Sequence, residues 1–177
     1  MDKHNTIYEL DAENRICDVR GGWNDAVKPD NPRIRADQRA FKEKVLGERL
    51  DSYIHDDMTR MLLKTVINSV RYSKRPKTMP YRCDAPDQKH FMEMLIEPLE
   101  GGAIRLTHCY LRSEPLDPPV TIEPAEALSE QVSARCSICN RIEWNRVWLE
   151  PDEASRRSRS GHFKVRYTVC PVCLNSR

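Results

Sequence analysis

Two short, mainly apolar stretches lie near the start of the chain, residues 6–10 and residues 15–19. The four residues between them include Asp11 and Asn14, whose side chains suit a tight turn. The pattern therefore predicts a β-hairpin. Residues 21–37 follow with two glycines and two prolines, a composition that favours loops or short helices over one long helix.

Helical spacing of apolar residues, at intervals of three and four, begins after this region. Residues 38–46 show it briefly, and Gly47 supplies a stop signal for a short helix. Residues 56–72 show it over a longer stretch, and the acidic pair Asp56 and Asp57 stands at the start, where negative charge favours a helix. This segment is predicted to be the principal helix of the chain.

Beyond Pro76 the period changes to two. Residues 78–83, 91–96 and 103–111 largely alternate between apolar and polar side chains, with turn-forming residues between the stretches. Three antiparallel strands joined in sequence are the simplest interpretation. With the hairpin and the long helix, the pattern predicts an α+β fold, a five-stranded antiparallel sheet with helices on one face.

A cluster of prolines divides the chain. Four of the twelve prolines lie within ten residues and predict an extended, semi-rigid linker: Pro115, Pro118, Pro119 and Pro124. We expect an α+β domain over residues 5–114, a linker over residues 115–134 and a small module over residues 135–177. Charge divides in the same way, because residues 129–177 carry nine basic and five acidic side chains, whereas the preceding 128 carry 20 and 22.

Composition limits the classes of protein to consider. The chain has 177 residues, 39% hydrophobic and 32% charged, with a mean hydropathy of −0.70. Its 29 basic and 27 acidic residues are too balanced for the whole chain to bind polyanions by net charge. No apolar run approaches the ~20 residues of a membrane span, and the first eleven residues lack the apolar stretch of a secretory signal. We expect a cytoplasmic protein without a membrane partner.

The strongest chemical signal is a pair of C-x-x-C strings near the C-terminus, Cys136 with Cys139 and Cys170 with Cys173. Each string can bring two thiolates to one cation, and two strings complete the tetrahedral sulfur shell of a structural zinc site. A segment of ~40 residues cannot build a sufficient core alone, and zinc would supply the missing folding free energy. The module resembles a zinc ribbon in these two knuckles.

The 30 residues between the strings exceed the usual short spacing and predict a folded insertion, with a helix over residues 150–157 and a strand over residues 163–169. A reversible dithiol and an iron–sulfur cluster remain as rival uses of the four thiols, and His162 could replace one ligand. The three other cysteines lie in predicted strands, where thiols usually pack as small apolar groups: Cys17, Cys83 and Cys109.

Three strings in residues 5–114 resemble motifs of the PAS family of sensor domains. They are R-I-C-D-V at residues 15–19, followed by Trp23, then V-L-G-E-R-L-D-S-Y-I-H at residues 45–55 before the long helix, and Y-R-C-D-A-P at residues 81–86. The third is similar to the R-C-D-x-P element of a bacterial PAS subgroup. The resemblance implies a sensor or protein-interaction domain whose sheet and helices enclose an apolar cavity.

In some PAS members that cavity holds haem, flavin or a small metabolite. The N-C-R-F-L-Q motif of flavin photoreceptors is absent, which disfavours flavin photochemistry. Haem is also disfavoured, because residues 56–72 contain no histidine to serve as the axial ligand. His55, directly before the helix, and His108, in a predicted strand, are the remaining candidates for contact with a cavity ligand.

A basic run in the module offers a second surface for binding. It is interleaved with serines and consists of Arg156, Arg157, Arg159, Lys164 and Arg166. Contact with nucleic acid is one interpretation, and a solvated loop is the favoured one because the module's charge is modest.

Together these observations predict a non-enzymatic signalling or regulatory protein. It would sense a ligand or partner through the PAS-like domain and act by contact with a protein partner, with homodimerisation as a further expectation. We find no nucleophile–base pair and no phosphate-binding loop of recognisable spacing. A nucleic-acid-binding transcriptional regulator and a thiol redox switch are the alternatives.

Overall fold

The computed structural model describes residues 5–21, 42–54, 56–125 and 132–176. The chain divides into two compact units. The first lies within Met1–Ile54, Leu63–Met79 and Met92–Tyr110, and the second within His55–Leu62, Pro80–Phe91 and Leu111–Arg177. In the described part of the chain, no helix has both the length and the apolar character needed to cross a membrane.

The described residues contain ten strands and three complete α-helices, and residues 42–45, within the short helix predicted over residues 38–46, are also helical. The strands are β1 (Thr6–Leu10), β2 (Ile16–Arg20), β3 (Lys77–Arg82), β4 (Gln88–Pro98), β5 (Ile104–Pro115), β6 (Thr121–Pro124), β7 (Ser133–Cys136), β8 (Ile142–Trp144), β9 (Val147–Leu149) and β10 (His162–Thr168). The helices are α1 (Asp57–Ser73), α2 (Pro151–Ser158) and α3 (Pro171–Asn175). Short 3-10 turns occupy Leu50–Tyr53 and Glu100–Gly102.

The first sheet has five strands in the order β2-β1-β5-β4-β3, and β1 pairs antiparallel with both β2 and β5. The predicted α+β class and five-stranded antiparallel sheet are confirmed. The hairpin forms as expected because Asp11 Oδ1 accepts hydrogen bonds from the amides of Glu13 (2.9 Å) and Arg15 (2.8 Å). Asn14 completes the turn in the left-handed conformation, with φ of 64°.

Helix α1 begins where Asp56 caps it, since Asp56 Oδ1 accepts from the amide of Thr59 at 2.7 Å. Within the first unit, Arg71 near the helix end donates to the carbonyl oxygens of Gly102 and Asp11, each at 2.8 Å, and to Asn14 Oδ1 at 2.7 Å. One guanidinium therefore holds the hairpin turn and the β4–β5 connection to the helix. The core of this unit contains Leu10, Ile16, Val45, Ile67, Val70, Ile96, Ile104 and Leu106.

Strand β5 is longer than the alternation predicts, because it continues to Pro115. Its last residues are mostly exposed and include Leu111, Arg112 and Glu114. A strand with both faces in solvent carries no alternating signal, so the sequence pattern ends before the strand does.

The second sheet lies in the second unit and has the order β6-β10-β7-β8-β9. Strand β10 is central and pairs in parallel with β6 and β7, whereas β7–β8 and β8–β9 are antiparallel. The predicted insertion forms as α2 and β10. Seven buried residues of this unit form an apolar cluster: Leu116, Val120, Ile142, Leu149, Ala154, Phe163 and Val165.

Residues 115–134, predicted as a linker, contribute to this unit where they are described. Leu116 and Val120 are buried in the apolar cluster, and their amides donate to the carbonyl oxygens of Asp87 and Pro86, each at 2.8 Å. Strand β6 follows and places Ile122 beside Phe163. The proline spacing does not reveal this packing because two isolated apolar residues have no period.

Candidate metal centre

Four cysteine sulfurs lie together in the second unit. The Sγ atoms of Cys136, Cys139, Cys170 and Cys173 are all within 4.8 Å of one another, and those of Cys139 and Cys170 are 3.8 Å apart. Tetrahedral coordination with metal–sulfur bonds of ~2.3 Å requires sulfurs about 3.8 Å apart. The cluster is therefore compact enough to hold one metal ion.

The first knuckle is a tight turn at the end of β7. The amide of Asn140 donates to the carbonyl oxygen of Cys136 at 2.9 Å. The amide of Cys136 donates to the carbonyl oxygen of Arg141, also at 2.9 Å. Asn140 takes the left-handed conformation, with φ of 59°, which asparagine tolerates well. The amide of Ile138 points to Cys136 Sγ at 3.4 Å, so the turn directs a backbone donor at a ligand sulfur.

The second knuckle is the start of helix α3. Cys170 is the N-cap residue, and its sulfur accepts from the amide of Cys173 at 3.4 Å. Pro171 occupies the first helical turn, where it loses no hydrogen bond. The sequence C-P-V-C therefore forms a single helical turn that brings the two sulfurs to one side.

Strand pairing brings the two knuckles together. In the parallel pair β7–β10, Thr168 lies opposite Cys136, and the Ser137 amide donates to the Thr168 carbonyl oxygen at 2.8 Å. The Cys170 amide then donates to Cys136 Sγ at 3.3 Å. Cys136 and Cys170 are fully buried, and Cys139 is partly exposed.

Three of the four thiols have shifted pKa values, in different directions. The Cys139 thiol donates to the Cys136 sulfur, which lowers the pKa of Cys136 to about 4 and raises that of Cys139. Burial raises the pKa of Cys173 to about 12. Hydrogen bonding and burial therefore favour a thiolate at Cys136 and disfavour one at Cys139 and Cys173. A bound cation would favour all four thiolates by direct coordination.

A buried ion-pair network lies beside the first knuckle in the second unit. Arg82 donates to both oxygens of Asp84, at 3.1 and 2.5 Å, and to Glu150 Oε2 at 2.5 Å. Its amide donates to the carbonyl oxygen of Ile138 at 2.8 Å. Burial would raise the pKa of Glu150, but hydrogen bonds from Arg82 and Arg141 hold that pKa below its usual value.

Sequence reasoning missed this network as part of the site. The signal was present, because Arg82 and Asp84 belong to the string Y-R-C-D-A-P, but its partner Glu150 lies 68 positions away from Arg82. A further contact joins Ser137 Oγ to Asp56 Oδ2 at 2.8 Å. The knuckle is thus supported by residues from two distant segments of the chain.

The predicted histidines are not among the metal-ligating groups that the described residues bring together. His162 begins β10, and its Nε2 lies 3.2 Å from Glu123 Oε1. His108 lies in the first unit opposite Thr6, with its ring edge-on to Tyr8 at 5.5 Å between centroids. Burial lowers the pKa of His108 to about 4. His55 lies outside the described residues.

The remaining cysteines stand apart from the cluster, and their exposure differs. Cys17 is exposed, whereas Cys83 and Cys109 are partly buried. The packing role expected for a strand cysteine therefore does not apply to the Cys17 side chain.

Two arginines of the basic run are paired on helix α2. Arg156 binds Asp152 Oδ2 at 2.9 Å and Arg157 binds Glu153 Oε1 at 2.6 Å. Arg156 also donates to the carbonyl oxygen of Asp117 at 2.6 Å. These contacts reduce the charge available to a polyanion.

No family model matches the chain, and no curated protein matches it. Among solved structures, a domain of an HTR-like protein from Haloarcula marismortui ATCC 43049 aligns with a TM-score of 0.36 and 11% identity. The alignment covers 61% of this chain and 98% of that one. A likeness of this strength assigns neither fold family nor function.

Proposed function

We propose that this protein is a non-enzymatic signalling or regulatory protein. A PAS-like domain senses a ligand or partner, a four-cysteine module binds structural zinc, and output occurs by contact with another protein. The observation that carries the proposal is the closed cluster of four cysteine sulfurs within 4.8 Å of one another. It supports a metal that stabilises a module rather than one that performs a reaction.

Chemistry favours zinc as the metal. Four sulfur ligands in a tetrahedron suit zinc or an iron–sulfur cluster, and the 3.8 Å separation of Cys139 and Cys170 fits a single ion at the centre. A catalytic zinc site keeps one position for water or substrate, with three protein ligands. With four cysteines in place, no position is left for substrate.

The PAS-like assignment rests on the order of elements. The two strands of the N-terminal hairpin and the three sequential strands β3, β4 and β5 form one five-stranded antiparallel sheet, and the long helix α1 lies between these two groups of strands in the chain. This is the architecture that the three sequence motifs imply. Sensing in such a domain requires that a ligand bind one conformation better than another.

Metal analysis of the purified full chain, combined with its absorption spectrum, tests the proposal. We expect one zinc per chain and no visible absorption band. Cys139→Ser should lower the zinc content, whereas Cys83→Ser, a cysteine outside the cluster, should retain it. Iron together with a broad visible band would show that the four cysteines hold an iron–sulfur cluster and not zinc. A Soret band would show that the chain binds haem, which requires a haem ligand in the sensor domain.

Output by contact is tested separately. Light scattering should detect a homodimer, or the tagged full chain should co-purify with a stoichiometric protein partner from cells that produce both. A strictly monomeric chain that retains no partner would contradict the signalling part of the proposal and leave the zinc assignment standing.

A further inference from the structure

A partly open cavity of about 260 Å³ lies in the second unit, and none of the four cysteines of the cluster lines it. Its lining includes Asp84 and Arg135 on the polar side and the apolar side chains of Leu116, Val120 and Ile122, together with Tyr167. Leu116 and Val120 are buried. The cavity is therefore amphipathic, and it is smaller than the ~300–1,000 Å³ of drug-sized sites.

Arg135 is the unusual residue of this lining. Its side chain is only 8% exposed, and its Nε atom has no hydrogen-bond partner among the residues that the structure describes. A buried donor without an acceptor is destabilising by roughly 1–3 kcal/mol, and more when it is charged. The Arg135 side chain thus lacks an acceptor that a ligand could supply.

The neighbouring carboxylate does not supply that acceptor. Asp84 is 4.0 Å from Arg135 Nη2, and both of its oxygens already accept hydrogen bonds from Arg82. Asp84 is itself only 2% exposed, so it cannot exchange this partner for water. The Asp84 carboxylate is therefore bound mainly by Arg82, and it neutralises the positive charge of Arg135 only in part.

The wider network does not balance the charge either. Among the described residues around Glu150, each carboxylate is shared between cations: Glu150 contacts Arg82, Lys89 and Arg141, and Asp152 contacts Lys89 and Arg156. A water molecule in the cavity could accept a hydrogen bond from Arg135 but would add no negative charge. An anionic group would satisfy both requirements.

We propose that this cavity binds a small organic carboxylate. The carboxylate accepts a hydrogen bond from Arg135 Nε, and the apolar remainder contacts Leu116, Val120 and Ile122. Inorganic phosphate is a poorer match because it would leave the apolar walls without a partner. The proposal concerns a site distinct from the cysteine cluster and does not depend on the metal's identity.

Titration of the full chain with acetate, isovalerate and phenylacetate tests this proposal, with phenylacetamide and inorganic phosphate as comparisons. Calorimetry gives the affinity, and methyl NMR signals of Leu116 and Val120 report the location. We expect at least one of the two larger carboxylates to bind more tightly than acetate, and phenylacetamide and phosphate to bind at least tenfold more weakly. Equal affinity for phenylacetate and phenylacetamide, or no binding by any carboxylate up to about 10 mM, would overturn the proposal.

Two variants act on the cavity in different ways. Arg135→Gln should weaken carboxylate binding about tenfold or more by removing the charged donor. Ala85→Leu should weaken it by filling the cavity while leaving the guanidinium in place, and it decides the test if Arg135→Gln does not fold. Arg166→Gln is the matched control, because Arg166 is exposed on β10 beside β7. Loss of binding in the control alone would place the carboxylate elsewhere.

Discussion

The backbone amide of Cys170 donates a hydrogen bond to the Sγ of Cys136 at 3.3 Å, although the two residues are 34 positions apart. This contact ties one knuckle to the other through the protein itself. The two cysteine strings therefore meet at a position that the sheet of the second unit sets, and the metal that we propose would reinforce it.

Loss of the metal should destabilise the second unit. Cys173→Ser, or removal of the metal by a chelator, is expected to lower the free energy of unfolding by several kcal/mol, because ligand sulfurs then face one another without a cation. For a chain of this size that corresponds to a fall in Tm on the order of 10 °C. Thermal unfolding with parallel zinc analysis measures it. Cys109→Ser is the control, and an equal loss of Tm in both variants would contradict a special role of the cluster.

Breaking the buried ion pair should cost more than breaking a surface one. Arg82→Met leaves the buried Asp84 carboxylate and Glu150 without their shared cation, and we expect a loss of roughly 3–5 kcal/mol. Arg157→Met removes an exposed pair with Glu153 and should cost less than about 1 kcal/mol. Urea unfolding of the two variants compares them directly. Similar losses in both would mean that Arg82 is not needed to neutralise its neighbours.

Acid should weaken the first unit through His108. Burial lowers the pKa of this histidine to about 4, whereas an unfolded histidine titrates near 6.5. Between these values the unfolded chain binds more protons, so stability is complete above about pH 6.5 and falls as the pH decreases towards 4. The loss attributable to His108 should reach up to about 3 kcal/mol.

Urea unfolding between pH 7 and pH 4 checks this effect. His108→Gln should flatten the stability profile over that interval, because glutamine does not titrate there. If the free energy of unfolding of the His108→Gln variant falls with pH as steeply as that of the unchanged protein, the acid sensitivity belongs to other groups.

Nucleic-acid binding by the basic run should be weak. Arg156 and Arg157 each form an ion pair with a carboxylate one helical turn away, so a polyanion would have to displace Asp152 and Glu153. We expect no association of the full chain with labelled DNA or RNA at physiological salt in an anisotropy titration. Binding that weakens steeply with added salt and is lost in Arg156→Ala would favour the nucleic-acid alternative.

Local sequence signals predicted the elements that have a strong period. The hairpin turn at Asp11 and Asn14, the helix after Asp56 and the strand in the module all follow from the pattern of residues within a few positions. The exposed end of β5 and the burial of Leu116 and Val120 do not, because neither segment alternates. The strand position of His108 makes it a candidate for contact with a ligand, and the structure adds that its ring lies edge-on to Tyr8 of the neighbouring strand.

By itself, the sequence determined the α+β class, the five-stranded antiparallel sheet and the two C-x-x-C strings, because hydrophobic period and ligand spacing are local properties of a chain. Only the tertiary structure decided that the strings converge. The parallel pairing of β7 and β10 sets Thr168 against Cys136. Only the tertiary structure likewise revealed the Arg82 network and the cavity at Arg135. These features join residues tens of positions apart, and their energies come from burial and from shared charge, which no local pattern records.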